Sequence, residues 1–257
     1  MSPSWRNLGV LRYNKTMTKF IIFANARTGS TSLARLLGES PGVRMCMEPF
    51  HDKYAEWNPG ERDYSKFVKD ARALDIALEE IFSKYTALKC LDYQLDESIY
   101  TKLLRRKDVK VVMLTRKNPV MAALSSLVAH QTSVWHKEEI GKDTFEQLKP
   151  IPITEIEKAT AYIESQNRQY DNFLEKNRPG DYLRLYYEDL YSTDKEQNLR
   201  TIKRICSFLD IPQPPEPAIE RYMNPKFAQI SLEGAYLKVP NISEIQSHFG
   251  INLETIL

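Results

Sequence analysis

Four consecutive apolar residues, Phe20-Ile21-Ile22-Phe23, begin the patterned part of the chain and predict a strand covered on both faces. A polar run with one glycine follows, and then Leu33, Leu36 and Leu37 fall at helical spacing, with an end near Gly38 and a turn at Pro41-Gly42. A second apolar run, 109–114, ends in Thr115-Arg116-Lys117-Asn118-Pro119. Pro119 suits a first helical turn, and the helix it opens should run to about Gln131. Residues 87–91 predict a short buried strand that contains Lys89. Residues 43–47 form a short apolar segment leading into Glu48-Pro49-Phe50-His51, and 52–61 read as a loop. A further strand is expected over 182–187, before Glu188-Asp189-Leu190. Helical periodicity covers 64–85, 96–106, 154–177 and 198–209, whereas the tail, 218–257, is mixed.

Strands that alternate with helices predict an α/β protein: a central parallel sheet flanked by helices, with ligands at the C-terminal strand ends. The expected organisation is an irregular N-terminal arm over 1–18 and one domain over 19–257. A loop-rich insert at 132–150 lies within that domain. The 257 residues suffice for one sizeable core, and 42% hydrophobic with 27% charged residues is a globular composition. A net charge of +2 argues against nucleic acid or a membrane surface as partner, so any anion site must be local. No apolar run approaches the roughly 20 residues that span a bilayer. The first nineteen residues have no apolar core of a leader peptide. Cys46, Cys90 and Cys206 lack metal-ligand spacing and read as reduced cysteines of a cytoplasmic protein.

The run between the first strand and its helix, Arg27-Thr28-Gly29-Ser30-Thr31-Ser32, has the chemistry of an anion site. First-turn N–H groups have no partner within their helix, and the helix dipole favours negative charge there. Gly29 permits close approach of a phosphate, the three hydroxyl residues add donors, and Arg27 adds a fixed charge. Against the nucleoside-triphosphate loop G-x-x-x-x-G-K-[ST], Ala24 stands for the first glycine and Ser30 for the lysine. The Val-rich strand ends in Arg116, where a nucleotide hydrolase would place an acidic residue for Mg²⁺. A second basic point so far from the first predicts a ligand with two separated anionic groups.

These residues resemble the sulfotransferases that use 3′-phosphoadenosine 5′-phosphosulfate (PAPS), including the bacterial and Golgi-type carbohydrate sulfotransferases. Arg27-Thr28-Gly29-Ser30-Thr31 fits that family's R-[ST]-G-[ST]-[ST] loop for the 5′-phosphosulfate. The stretch from Val111 to Pro119, with Ser125, is similar to the strand, Arg and helix Ser that hold the 3′-phosphate. One extra residue separates the Arg from the Pro. Weaker matches are Tyr187-Glu188-Asp189-Leu190, the helix Ile205 to Ile211 with Pro212, and Ala129 to Trp135. The resemblance covers about residues 20–212. It implies a P-loop-like sulfotransferase fold, PAPS as sulfuryl donor, adenosine 3′,5′-bisphosphate as product and no metal. The acceptor it implies is a hydroxyl on a carbohydrate or small metabolite.

Sulfuryl transfer needs positioning, charge stabilisation and a base for the acceptor proton. Glu48, 21 residues beyond Arg27, is the candidate base, at a place where the family commonly carries Glu or His. It would need a raised pKa, which Met45, Met47 and Phe50 could provide by desolvation. His51 is the alternative, with an intrinsically better pKa. Lys89, in a segment where the family often places a lysine, either touches the sulfate or acceptor or faces solvent. Tyr54, Trp57, Tyr93, Trp135 and His136 are candidates for the acceptor mouth. Two other readings stay open at this point: a P-loop kinase of a small metabolite, and a non-catalytic nucleotide-binding domain.

Overall fold

The computed structural model describes residues 18–135, 139, 141, 143–224 and 235–252. Nearly all of the expected N-terminal arm, and His136, lie outside them. Five parallel strands form one sheet in the order β2-β3-β1-β4-β5: β1 is Phe20–Ala24, β2 Met45–Met47, β3 Ala87–Leu91, β4 Lys110–Thr115 and β5 Tyr182–Tyr186. The central strands are the uninterrupted apolar runs, because helices cover both of their faces. The edge strand β5 instead alternates buried with half-buried positions.

Side-chain alternation divides the strand residues between two cores. Phe20, Ile22 and Ala24 point to one face with Val112 and Leu114. There they pack against helix α1, Ser30–Gly38, and the later amphipathic helix Lys195–Leu209. Ile21, Phe23, Leu88, Val111 and Met113 point to the other face, against Ala71–Lys84, Glu97–Arg105 and the long helix Ile153–Asn177. A third core joins the helix Pro119–Thr132 to Leu148, Ile151 and the C-terminal segment, where Tyr236, Val239 and Ile245 are buried. No described helix is long and apolar enough to cross a membrane.

Several boundaries differ from the periodicity. The expected helix over 64–85 is two, Tyr64–Phe67 and Ala71–Lys84. The Asp70 carboxylate accepts from the Ala73 N–H at 2.8 Å and starts the second helix afresh. The loop over 52–61 contains one helical turn, Tyr54–Trp57. The mixed tail contains two helices of eight residues, Glu216–Met223 and Ile242–Phe249.

Register decides where chemistry collects. Ala24 is level with Leu91 on one side and Leu114 on the other, so Asn25, Asp92 and Arg116 leave the sheet at the same, C-terminal end. The opposite edge is held by Arg178, whose side chain is fully buried. Its guanidinium donates to the carbonyls of Leu104, Arg106, Val109 and Asp181 and to the Asp181 carboxylate. That ties the end of one helix, the start of β4 and the turn into β5 together. Arg178→Met removes every donor and strands buried carbonyls, each worth about 1–3 kcal/mol. The expected loss is about 3–5 kcal/mol in urea denaturation.

Candidate active site

The loop between β1 and α1 is shaped by two left-handed residues, Arg27 at φ 63° and Gly29 at φ 73°. Thr28 is buried, and its hydroxyl donates to the Asn25 carbonyl at 2.8 Å, which closes the loop. Gly29 precedes the first turn of α1 and brings no capping side chain to the N–H groups there. Tyr191 lies directly against it, its phenol donating to the Gly29 carbonyl, and a Cβ on Gly29 would come within 2.8 Å of the ring Cζ. Backbone angle and the tyrosine together therefore require glycine. Ser30 is buried at the start of α1, and Ser32 hydrogen-bonds the same phenol. Tyr191 was not legible as a site residue, because it reaches the loop from 162 residues away.

The next strand supplies the charge that the loop sequence lacks. Lys89 is level with Ile22 and so points to the face that carries α1. It is 1% exposed, which removes the solvent-facing alternative. Its ammonium donates to the Thr31 hydroxyl at 2.8 Å and to Glu48 Oε1. An ammonium can only donate, so Thr31 accepts from it and keeps its own O–H for another acceptor.

Glu48 follows β2, and its N–H extends the ladder to the Lys89 carbonyl at 3.0 Å. It too is left-handed, at φ 54°, a strained conformation for a residue with a Cβ. Its second carboxylate oxygen accepts from the Gln94 amide at 2.7 Å. Burial pushes this carboxyl up, but the adjacent Lys89 charge and the hydrogen bonds from Lys89 and Gln94 hold it below its ordinary value. The expectation of a carboxyl raised by apolar neighbours is thus overturned by a cation from the adjoining strand. Burial in turn holds the Lys89 ammonium below its usual value, against the opposing pull of Glu48.

His51 lies outside this pair. Its N–H donates to the Glu48 carbonyl, while its ring Nδ1 accepts from the Lys53 N–H at 3.1 Å and lies 2.8 Å from Asp52. The ring packs on Trp57, with centroids 4.6 Å apart. Trp57 and Tyr93 are 50% and 60% exposed, whereas Tyr54 is a core residue at 1%, its hydroxyl against the Cys46 thiol, and cannot line a mouth.

The second anion-handling group stands at the end of β4. Arg116 is 5% exposed and stacks 3.9 Å above the ring of Tyr187. One nitrogen donates to the Met121 carbonyl at 3.3 Å, and Nε lies 3.9 Å from Glu188. Its Nε and Nη2 are buried and have no hydrogen-bond partner among the described residues. Ser125 is buried nearby on the helix Pro119–Thr132 and accepts from Arg27 Nε at 3.1 Å. Arg27 also donates to the Trp135 carbonyl at 2.8 Å. Burial first, and then the like charge of Arg116, hold the Arg27 guanidinium below its usual value. The structure therefore brings Arg27, Arg116 and Ser125 into one neighbourhood, although the sequence places the two arginines 89 residues apart. A neighbouring cleft is lined by Val134, Phe145 and Tyr236, so the described part of the insert and the C-terminal segment wall this side. Among the described residues no group of three or more His, Cys, Asp or Glu could hold a metal ion.

A parallel sheet whose first strand runs through a glycine loop into a helix, with buried cations beside it, defines a protein that handles anionic groups at its strand ends. The sulfotransferase domain family matches residues 17–230, and the chain belongs to that family, an enzyme family of sulfuryl transfer. Among solved structures, the chain is similar to the sulfotransferase domain from the curacin biosynthetic pathway. Identity is 14%, with 93% of this chain and 100% of that one covered and a TM-score of 0.49. It is also similar to a sulfotransferase from Alicyclobacillus acidocaldarius, at 12% identity, 94% and 99% coverage and a TM-score of 0.47. A third is the sulfotransferase domain of the Synechococcus PCC 7002 olefin synthase, at 14% identity, 94% and 98% coverage and a TM-score of 0.48. No curated protein matches the chain by sequence.

The Glu48–Lys89 pair makes stability depend on pH. A carboxyl held low in the folded state stabilises it above the unfolded value of about 4.3, and that contribution is lost as pH falls through the folded value. Lys89→Met leaves a buried carboxylate unpaired, which costs about 3–5 kcal/mol. Urea denaturation from pH 7 to pH 3 should show a gap that narrows as the pH falls, first through the burial-raised folded value of Glu48 in the variant and then, below about pH 4.3, as the native protein loses its own contribution.

Proposed function

We propose that this sulfotransferase moves the sulfuryl group of PAPS to a hydroxyl of a carbohydrate or small metabolite, with Glu48 as base. The observation that carries the reading is the buried, half-satisfied guanidinium of Arg116, whose charge acts on Arg27, the residue that donates to the buried Ser125. A buried cation with only a long ion pair to Glu188 and two donors without partners among the described residues is costly unless an anion completes it. A 3′-phosphate suits that place. The residues of the other half fit a 5′-phosphosulfate: the first-turn N–H groups after Gly29, the outward O–H of Thr31, and Lys89 behind it. Arg27 lies between the two halves through its bond to Ser125.

The reaction assigned to these groups is an in-line displacement. The acceptor oxygen forms a bond to sulfur, the bond from sulfur to the 5′-phosphate oxygen breaks, and the electron pair stays on that phosphate. The acceptor proton passes to the Glu48 carboxylate. Lys89, Thr31 and the loop N–H groups face the charge left on the phosphate side, where preorganised donors lower the barrier most. Against the upward push of burial, Lys89 and Gln94 hold Glu48 below its ordinary value, so it carries no proton but is a weak base, and its contribution would come from its position. His51 is less suited, because its Nδ1 already accepts from Lys53.

Two measurements test this. In calorimetry, adenosine 3′,5′-bisphosphate should bind far better than AMP or ATP. Arg116→Ala should cost about 2–5 kcal/mol of bisphosphate affinity while leaving AMP nearly unchanged. Equal losses for both ligands would make Arg116 structural. For the base, Glu48→Gln should lower turnover with PAPS by about 10²–10⁴-fold and change bisphosphate affinity far less. His51→Asn should lose much less, and the reverse order would transfer the role to His51.

A further inference from the structure

We infer that Gln94 is a positioning residue that holds the Glu48 carboxylate ionised and in one orientation, with Oε1 against Lys89 and Oε2 toward the acceptor side. Gln94 ends a short 3₁₀ turn, Asp92–Gln94, that follows β3. Its side chain bends back, and Oε1 accepts from the Leu91 N–H at 3.0 Å. A backbone N–H only donates, so the atom facing it must be the amide oxygen. The amide nitrogen then has one direction left, and it donates to Glu48 Oε2 at 2.7 Å. The orientation of this amide is therefore dictated by the backbone.

The turn itself is anchored. Asn25, the last residue before the loop, donates to the Asp92 carboxylate at 2.8 Å, and the same carboxylate accepts from the Tyr93 N–H at 3.1 Å. Gln94 thus connects the start of the phosphate loop to the carboxylate through one rigid turn. The charged and titratable groups around Glu48 are Lys89 and Cys90 on β3, His51 on its own loop and Tyr93 on the turn. Arg35 on α1 faces Lys89, and Asp52 adds a negative charge near Tyr93. Lys89 acts on Oε1. Gln94 donates to Oε2, the oxygen that the ammonium does not hold, and fixes where its lone pairs point.

The test uses the full chain with ¹³C-labelled glutamate carboxyls, titrated by NMR. The Glu48 signal is assigned by its loss in Glu48→Gln. Gln94→Met keeps the length of the side chain and removes the amide, and a hydrogen bond to a charged group is strong enough that the Glu48 midpoint should rise by about 1–2 pH units. Gln94→Glu keeps the bond to Leu91 and places a second carboxylate beside the first, so it should raise the midpoint further. It also serves as the folded control if the Met variant is unstable. An unchanged midpoint in Gln94→Met, or in the folded Gln94→Glu variant, overturns the inference. The kinetic part rests on Glu48 being the base: the acid limb of the pH–rate profile should move with the NMR midpoint. A midpoint that moves while the acid limb stays in place upholds Gln94 as the residue that sets the carboxylate and rejects Glu48 as the base.

Discussion

A lysine ammonium cannot be buried in a parallel sheet without partners, and Lys89 is the point from which the ends of β2 and α1 are arranged. In a medium of low dielectric its charge must be neutralised and its hydrogens bonded. Glu48 supplies the charge and Thr31 a hydroxyl. Both are thereby fixed, one at the end of β2 and the other in the first turn of α1. Glu48 tolerates a left-handed backbone in the same place, a strain that such an ion pair can offset. The Glu48 carboxylate after β2 and the Thr31 hydroxyl at the start of α1 thus share one cation.

The nucleotide half rests on a different solution to the same problem. Arg116 is almost as deeply buried but is only partly paired. Its flat face is covered by Tyr187, where a guanidinium gains from the ring quadrupole. Tyr187 in turn packs on Tyr191, with centroids 5.0 Å apart, and Tyr191 holds Gly29. The two anion sites are therefore joined behind the sheet edge by two aromatic rings. Two buried donors of Arg116 are left without partners among the described residues while the ring of Tyr187 supports its face, an arrangement that is costly for stability alone.

Much of this was legible in the residues. The run Phe20 to Phe23 could only be a covered strand, and the Val-rich run before Arg116 another, because edge or surface strands alternate. Arg27 to Ser32 is local chemistry: glycine, hydroxyls and a helix start lie next to each other in sequence, so their meeting needs no tertiary information. Ser125 could be chosen over its neighbours only through the family resemblance, and it is a buried serine that accepts from Arg27. The break at Asp70 was missed because apolar periodicity continues across it. An aspartate that caps a new helix looks the same, in a periodicity reading, as one on a helix surface.

The sequence by itself determined where the strands lie along the chain, the glycine loop before α1 and the two arginines, because each is a pattern over neighbouring residues. Only the tertiary structure decided that Lys89 serves that loop, that Glu48 is held low instead of raised, that Tyr54 belongs to the core, and that Tyr191 and Gln94 belong to the site. The reason is the sheet. Which face a strand side chain points to, and which residue lies level with it on the neighbouring strand, depends on register between segments tens of residues apart. A one-residue change in that register would turn Lys89 away from α1 and into the opposite core.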